Sequence, residues 1–309
     1  MITGLSPANE QFVVSIDNLQ SQLNNAQNQL STGLRVNQAS DAPQQIGDIF
    51  QARSDLGSVN QVIQNLNTVQ TQVNAADTSI QTAVQLLQNA SVLGSQGAGT
   101  NVTQDQRNAL ATQVQGIISQ VVGLANTQVN GVYIFGGDAT QTAPYQLDSA
   151  SATGVDRAAP MQATQQIQDA TGIKFQVAET AQDIFDKRDS TDNPAPENVF
   201  AALNSLQLAL QSGDTTAIGT ALDSLNTASA YVNQQAGFYG AAQNRISSAL
   251  NLAQKFQVQD QTQLSNLQDT DVTSVALQLT QDTTAMNAAL AAQAKRPTTT
   301  LFDYLPING

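Results

Sequence analysis

The chain of 309 residues has 11 basic and 24 acidic residues, a formal net charge of -13, and neither Cys nor His. Nucleic-acid binders cluster Lys and Arg to displace counterions from phosphates, so this acidic chain with scattered basic residues is not expected to bind nucleic acid. Without Cys it has no disulfide or thiolate metal site, and without His it lacks the commonest general base and metal ligand. The composition therefore favours a structural protein, with no catalytic residue, cofactor or metal, over an enzyme.

The sequence also argues against a membrane protein. No apolar run approaches the roughly 20 residues that span a bilayer. The excess of acidic residues also disfavours binding to an anionic membrane surface. The first residues lack the basic and apolar regions of a signal peptide, so we expect any export to proceed without signal cleavage. Only 11 % of the residues are charged, so the helices gain few i,i+4 ion pairs and depend on packing.

A heptad pattern predicts a helix near the N-terminus, which the sequence Ser31-Thr32-Gly33 ends. Its apolar positions alternate in steps of four and three, which is the spacing of a coiled-coil seam. We call these residues the N-terminal seam: Phe12, Ile16, Leu19, Leu23, Ala26 and Leu30.

A longer helix is predicted over residues 43–94. Asp41 and its neighbour Ser40 can cap its first N–H groups, and Pro43 suits the first helical turn. The seam of this helix is interrupted only by Gln70 and Asp77, which either set the register or face solvent. At about 1.5 Å per residue the helix would form a rod of roughly 75 Å.

A third helix is predicted to fold back antiparallel to this rod. It starts at a capping box in which Thr103 caps the helix and Gln106 reaches back, and it runs to about Gln128.

The middle of the chain has a different period, which predicts a small β-rich insertion. Residues 132–135 form a short apolar run between glycines, and Ile173, Phe175 and Val177 alternate with polar residues as in a half-buried strand. The acidic residues nearby do not match the spacing of a calcium loop, so we interpret them as part of a solvated loop: Asp183, Asp186, Asp189 and Asp192.

Helical periodicity returns at about Glu197. Residues 269–271 can cap a final helix, which should stop at Pro297. The C-terminal seam comprises the apolar residues of this helix and of the tail that follows it: Val272, Val275, Leu279, Met286, Leu290, Leu301 and Leu305.

These elements predict a mainly α fold with a β insertion, in which the N- and C-terminal regions form a long antiparallel coiled-coil or helical-bundle rod. We expect three domains. Residues 1–42 with 270–309 would form a terminal helical polymerisation region, residues 43–136 with 197–269 a helical rod, and residues 137–196 a small β-rich outer domain.

Three segments resemble a known family. Residues 30–37 with 39–43 resemble the N-terminal signature of bacterial flagellins and their junction relatives, and residues 244–305 are similar to the matching C-terminal region. Residues 130–137 resemble the flagellin-like hook-associated proteins of the hook–filament junction (FlgL type). The positions that carry the motifs are Leu30, Ser31, Gly33, Arg35, Asn37, Asp41, Pro43, Tyr133, Phe135 and Gly137.

The resemblance implies a structural adaptor of the extracellular bacterial flagellum, exported unfolded through the flagellar type III channel. Its implied partners are neighbouring copies of itself, the other hook–filament junction protein, flagellin and a flagellar export chaperone. The terminal regions, with residues 12–30 and 272–305 as the best candidates for the polymerisation core, would fold on assembly because isolated helices of this composition are marginal.

Two other functions remain open at this point. The chain could be a short flagellin that forms the filament itself, which the N-terminal signature does not separate from a junction protein. It could also be an adhesin on a helical stalk, with its site in residues 138–198.

Overall fold

The computed structural model describes residues 7–158, 161–163 and 165–295. These residues form seven helices and six short strands, which confirms a mainly helical chain with a small β-containing middle. The elements in chain order are α1 (Pro7–Thr32), α2 (Ile46–Gly97), α3 (Gln104–Ala125), β1 (Gln128–Val129), β2 (Val132–Tyr133), β3 (Tyr145–Leu147), β4 (Val155–Arg157), β5 (Gln166–Gln168), β6 (Lys174–Gln176), α4 (Ala181–Phe185), α5 (Val199–Ser212), α6 (Thr215–Gln268) and α7 (Val272–Ala294).

The chain divides into two compact units. The terminal unit comprises residues 1–57 and 257–309, and the middle unit comprises residues 58–256. Both limits of the middle unit fall inside the continuous helices α2 and α6. The three-domain division, with its limits at 42/43, 136/137, 196/197 and 269/270, stays a prediction.

In the terminal unit, α1 packs against α7. The backbone N–H of Thr270 donates to the carbonyl of Gly33 at 3.0 Å, and Arg35 N–H donates to the carbonyl of Gln268 at 2.7 Å. The end of α1 therefore lies beside the start of α7, and the two helices are antiparallel. Asp271 caps α7 by accepting hydrogen bonds from the N–H groups of Thr273 and Ser274, as the sequence predicted.

The start of α2 differs from the prediction. Ala42 and Pro43 lie in a turn, and the helix begins three residues after Pro43, at Ile46. The Asp41 carboxylate accepts hydrogen bonds from the N–H groups of Asn37 and Gln38, both at 2.9 Å, and not from the first N–H groups of the helix. The predicted cap therefore stabilises the preceding turn.

The middle unit has a continuous apolar core contributed by α2, α3, α5 and α6. The predicted capping box of α3 is confirmed, because Thr103 accepts from the N–H of Gln106 at 3.3 Å while the Gln106 side chain accepts from the N–H of Thr103 at 2.9 Å. Two large side chains of the core, Leu66 and Ile80, are completely buried on α2.

The β insertion consists of three separate antiparallel pairs: β1 with β2, β3 with β4, and β5 with β6. The predicted strand over 132–135 is shortened to Val132–Tyr133, and the predicted alternation from Ile173 is wrong at its first position. Phe175 and Val177 are buried, but Ile173 is 56 % exposed, because it lies at the turn that joins β5 to β6.

The glycine-flanked motif anchors this insertion to the helices. Phe135 is fully buried and meets Phe185 edge-on at 5.9 Å and Tyr239 at 6.3 Å between ring centroids. Its carbonyl accepts the N–H of Ala181 at 2.8 Å. The motif residues Phe135 and Gly137 are therefore parts of a packed corner, where aromatic contacts add to the buried area.

Gly137→Ala is expected to destabilise the middle unit far more than Gly131→Ala. Both glycines have positive φ, 59° and 79°, so each alanine costs about 1–2 kcal/mol of backbone strain. A Cβ at Gly137 would also lie 2.4 Å from the carbonyl oxygen of Gln162, whereas a Cβ at Gly131 meets nothing within 4 Å. Urea unfolding of both variants checks this, and equal losses would contradict the account.

The acidic segment after β6 is not a solvated loop throughout, which corrects the prediction. Asp189 and Asp192 are exposed, and Asp183 belongs to the cap of α4, but Asp186 is completely buried. The Asp186 carboxylate accepts hydrogen bonds from three side chains: the Tyr145 hydroxyl at 3.0 Å, the Arg188 Nε at 2.9 Å and the Asn198 Nδ2 at 2.7 Å. Burial raises the pKa of Tyr145 above its usual value, and the charge of Asp186 adds to this.

Candidate assembly surface

The N-terminal seam lies on the inner face of α1. Phe12, Ile16, Leu19 and Leu23 are half-buried and Ala26 is buried, whereas Leu30 is 39 % exposed. Their spacing places them on one stripe of the helix. A single chain therefore covers this stripe only in part.

The C-terminal seam is split between the inner and outer faces of α7. Val275 is buried, and Leu279 and Met286 are half-buried, but Val272 and Leu290 are 51 % and 50 % exposed. Leu301 and Leu305 lie outside the described residues. The least exposed positions of α7 follow steps of four and three: Val275, Leu279, Asp282, Met286, Ala289 and Gln293.

Sequence reasoning missed Asp282, because an acidic residue breaks the apolar pattern. Asp282 lies on the inner stripe of α7, and its Oδ2 is buried without a hydrogen-bond partner among the described residues. Such atoms are rare in folded proteins because the lost hydration is not replaced. We therefore expect this carboxylate to weaken the α1–α7 pair in the single chain.

Asp282→Leu is expected to stabilise the isolated helix pair by about 1–3 kcal/mol, because it removes an unsatisfied buried acceptor and extends the apolar stripe. We expect higher helicity by circular dichroism and slower proteolysis of the termini. The control is Asp17→Leu on the exposed face of α1, which should stay within about 0.5 kcal/mol. Equal effects of the two substitutions would contradict the role given to Asp282.

The residues of the N-terminal motif hold the link between α1 and α2. Arg35 Nη2 donates to the carbonyl of Leu267 at 2.7 Å and to Gln45 Oε1 at 2.9 Å. Asn37 Nδ2 donates to the carbonyl of Leu34 at 2.9 Å, and Gly33 has a φ of 72°. Ser31 is exposed beside them. In the structure this motif positions the ends of the helices.

Most of the large apolar side chains that are exposed lie in the terminal unit, although it is the smaller part of the described chain. Sequence reasoning did not single out the residues of this set that lie off the seams. The set is Val13, Val14, Leu30, Phe50, Val258, Val272, Leu277 and Leu290.

The terminal unit also has a groove between the first turns of α2 and the last turns of α6. We call it the terminal groove; its volume is about 650 Å³, and its lining includes Leu34, Arg53, Val258, Leu264, Ser265 and Asp269. Nearby, the pKa of Asp260 is raised, first by desolvation and then by the negative charge of Asp55. The groove thus combines apolar walls with one arginine in acidic surroundings.

The described part of the chain contains no group of three or more His, Cys, Asp or Glu side chains that could hold a metal ion. None of its helices is long and apolar enough to cross a membrane. What the terminal unit offers is apolar helix surface with isolated charges. This is the chemistry of helix–helix association.

Comparisons with known proteins show that the chain is similar to flagellar proteins. Residues 8–140 match the bacterial flagellin N-terminal helical region. The chain is 29 % identical to flagellar hook-associated protein 3 of Salmonella typhimurium, over 62 % of this chain and 64 % of the relative. It is 31 % identical to flagellar hook-associated protein 3 of Escherichia coli K12, over 45 % of this chain and 46 % of the relative. The matches thus span less than two thirds of each of these relatives.

Solved structures show the same fold at low identity. A putative flagellar hook-associated protein from Vibrio parahaemolyticus superposes with a TM-score of 0.64 at 15 % identity, covering 74 % of this chain and all of that one. FlgL of Xanthomonas campestris gives a TM-score of 0.58 at 16 % identity, covering 68 % of this chain and 98 % of that one.

Proposed function

We propose that this chain, a member of the bacterial flagellin family and a relative of its hook-associated proteins, is a structural subunit that joins the flagellar hook to the filament. The proposal rests on the exposure of large apolar side chains in the terminal unit, where α1 and α7 pack against each other but leave these side chains uncovered. Val272, Leu277 and Leu290 on α7 are each at least half exposed. Burying such side chains against neighbouring subunits would stabilise the assembly by about 1.5–3 kcal/mol for each one fully covered.

The distribution of ion pairs supports assembly-coupled folding of the termini. The ion pairs found among the described residues lie in the middle unit, where Arg157 and Arg188 meet Asp186 and Asp192. No ion pair among the described residues involves α1 or α7, so the stability of these two helices depends on packing. The apolar side chains that the single chain leaves exposed on these helices can be covered only by other subunits.

The partners, the location and the absence of catalysis are proposed from the family resemblance. The proposed partners are neighbouring copies, the other junction protein, flagellin and a flagellar export chaperone, and the proposed location is the extracellular flagellum after export without signal cleavage. A purely structural role, without catalysis, belongs to the same proposal. The names of the relatives support it, since they are flagellar hook-associated proteins.

Polymerisation of the purified chain separates a junction subunit from a short flagellin. We expect no long filaments when the protein is incubated alone under conditions that polymerise flagellin, as seen by electron microscopy. A junction subunit should instead bind to isolated hooks that carry the other junction protein. Long homopolymers would assign the chain to the filament itself.

A further inference from the structure

Arg53 lines the terminal groove, and its guanidinium has no ion-pair or hydrogen-bond partner among the described residues. The residue is exposed. Asp269 lines the same groove, but its carboxylate accepts the hydroxyl of Ser265. Arg53 is the one basic side chain among the residues that line the groove, so it is the point at which a carboxylate of a ligand can form an ion pair there.

The outer face of α1 has the complementary pattern. Glu10, Val13, Val14 and Asp17 follow the i, i+3, i+4, i+7 spacing, so they lie on one stripe of the helix. Val13 and Val14 are 46 % and 58 % exposed, and both carboxylate residues are exposed. We call these four residues the outer stripe of α1; neither carboxylate has an ion pair or hydrogen bond with the described residues.

The outer stripe cannot enter the groove of its own chain. With a rise of 1.5 Å per residue, Val14 is about 30 Å along α1 from Leu34, which lines the groove. A stripe that occupies the groove must therefore belong to another molecule. The most economical source is a second copy, because every copy carries both surfaces.

We propose that the outer stripe of α1 docks in the terminal groove of a neighbouring copy, with Arg53 lying between Glu10 and Asp17 and the two valines against the apolar wall. This deepens the proposed function, on which it rests. Val258, 63 % exposed, and Leu264 provide the apolar wall. The single arginine among carboxylates sets the register, because a shifted stripe would bring like charges together.

Charge reversal tests the pairing in a strain that lacks the gene and is complemented with full-length variants. Arg53→Glu should reduce the number of filaments per cell at least tenfold, and so should Glu10→Arg combined with Asp17→Arg. The three substitutions together should restore filaments. Lys174→Glu is the matched control, an equal charge change at an exposed residue of the middle unit, and should leave filaments unchanged.

Disulfide cross-linking gives an independent readout, because the chain has no native cysteine. Val14→Cys with Val258→Cys should yield covalent oligomers on assembled hooks after mild oxidation. Val14→Cys with Leu208→Cys, an exposed position of the middle unit, should yield none.

Filaments on cells that lack the gene would overturn the proposed function. A working wild type without the Val14–Val258 cross-link, or with an Arg53→Glu variant that matches it, would overturn only the pairing. Loss in Arg53→Glu without rescue by the triple variant would also overturn it.

Discussion

Asp186→Ala is expected to lower the free energy of unfolding of the middle unit by about 3–5 kcal/mol, because it removes the shared acceptor of a buried network. The Tyr145 hydroxyl, the Arg188 guanidinium and the Asn198 amide would each lose a hydrogen bond to Asp186. Asn198 also caps α5 by accepting from the N–H of Ala201 at 2.9 Å. The substitution should therefore loosen both the insertion and the start of α5.

Asp192→Asn is the matched control, since Asp192 pairs with the same arginine and asparagine tolerates the positive φ of 62° at this position. Its side chain is 61 % exposed and lies 3.7 Å from Arg188 and 3.0 Å from Arg157. Exposed pairs of this kind contribute about 0–1 kcal/mol. Denaturant unfolding of both variants decides the point, and a loss below about 1 kcal/mol in Asp186→Ala would contradict the structural role of the network.

Leu23→Asp is expected to cause the largest loss of assembly among single substitutions in the seam. Leu23 is half-buried on the inner stripe of α1, and a carboxylate there would lie in an apolar interface at a cost of about 2 kcal/mol per copy. That cost corresponds to a roughly 30-fold weaker association of each subunit. Binding of the purified variant to isolated hooks, followed by sedimentation, measures the effect.

The substitution Asn67→Asp adds the same charge at an exposed position of the middle unit and should bind as the wild type does. Thermal unfolding of the middle unit should be the same in Leu23→Asp and in the wild type, because that unit has its own core. Equal binding of Leu23→Asp and Asn67→Asp would show that the N-terminal seam does not contribute to assembly.

The helices could be predicted from the sequence because their signals are local. The heptad spacing from Phe12 to Leu30, the capping box at Thr103 and the cap at Asp271 each depend on residues a few positions apart, and the structure has a helix at each place. The predicted start of α2 at Pro43 was wrong because proline suits both a first helical turn and an ordinary turn. The choice between them depends on where Asp41 directs its carboxylate.

The surfaces could be predicted only in part, because exposure depends on how helices pack. Periodicity alone does not reveal that Leu290 points outward while Ala289 and Asp282 point inward. It also gives no sign of the groove around Arg53, which forms between residues about 200 positions apart. The same holds for Asp186, whose burial depends on Tyr145 and Asn198 from separate elements.

Deletion of the gene in its own host, with electron microscopy of the cells and an assay of flagellin in the medium, tests the junction role most directly. We expect hooks without filaments, together with flagellin secreted into the medium, because export continues while the first filament subunits have no junction to bind. Intact filaments would contradict the junction role. Bare hooks without secreted flagellin would identify the chain as the filament subunit.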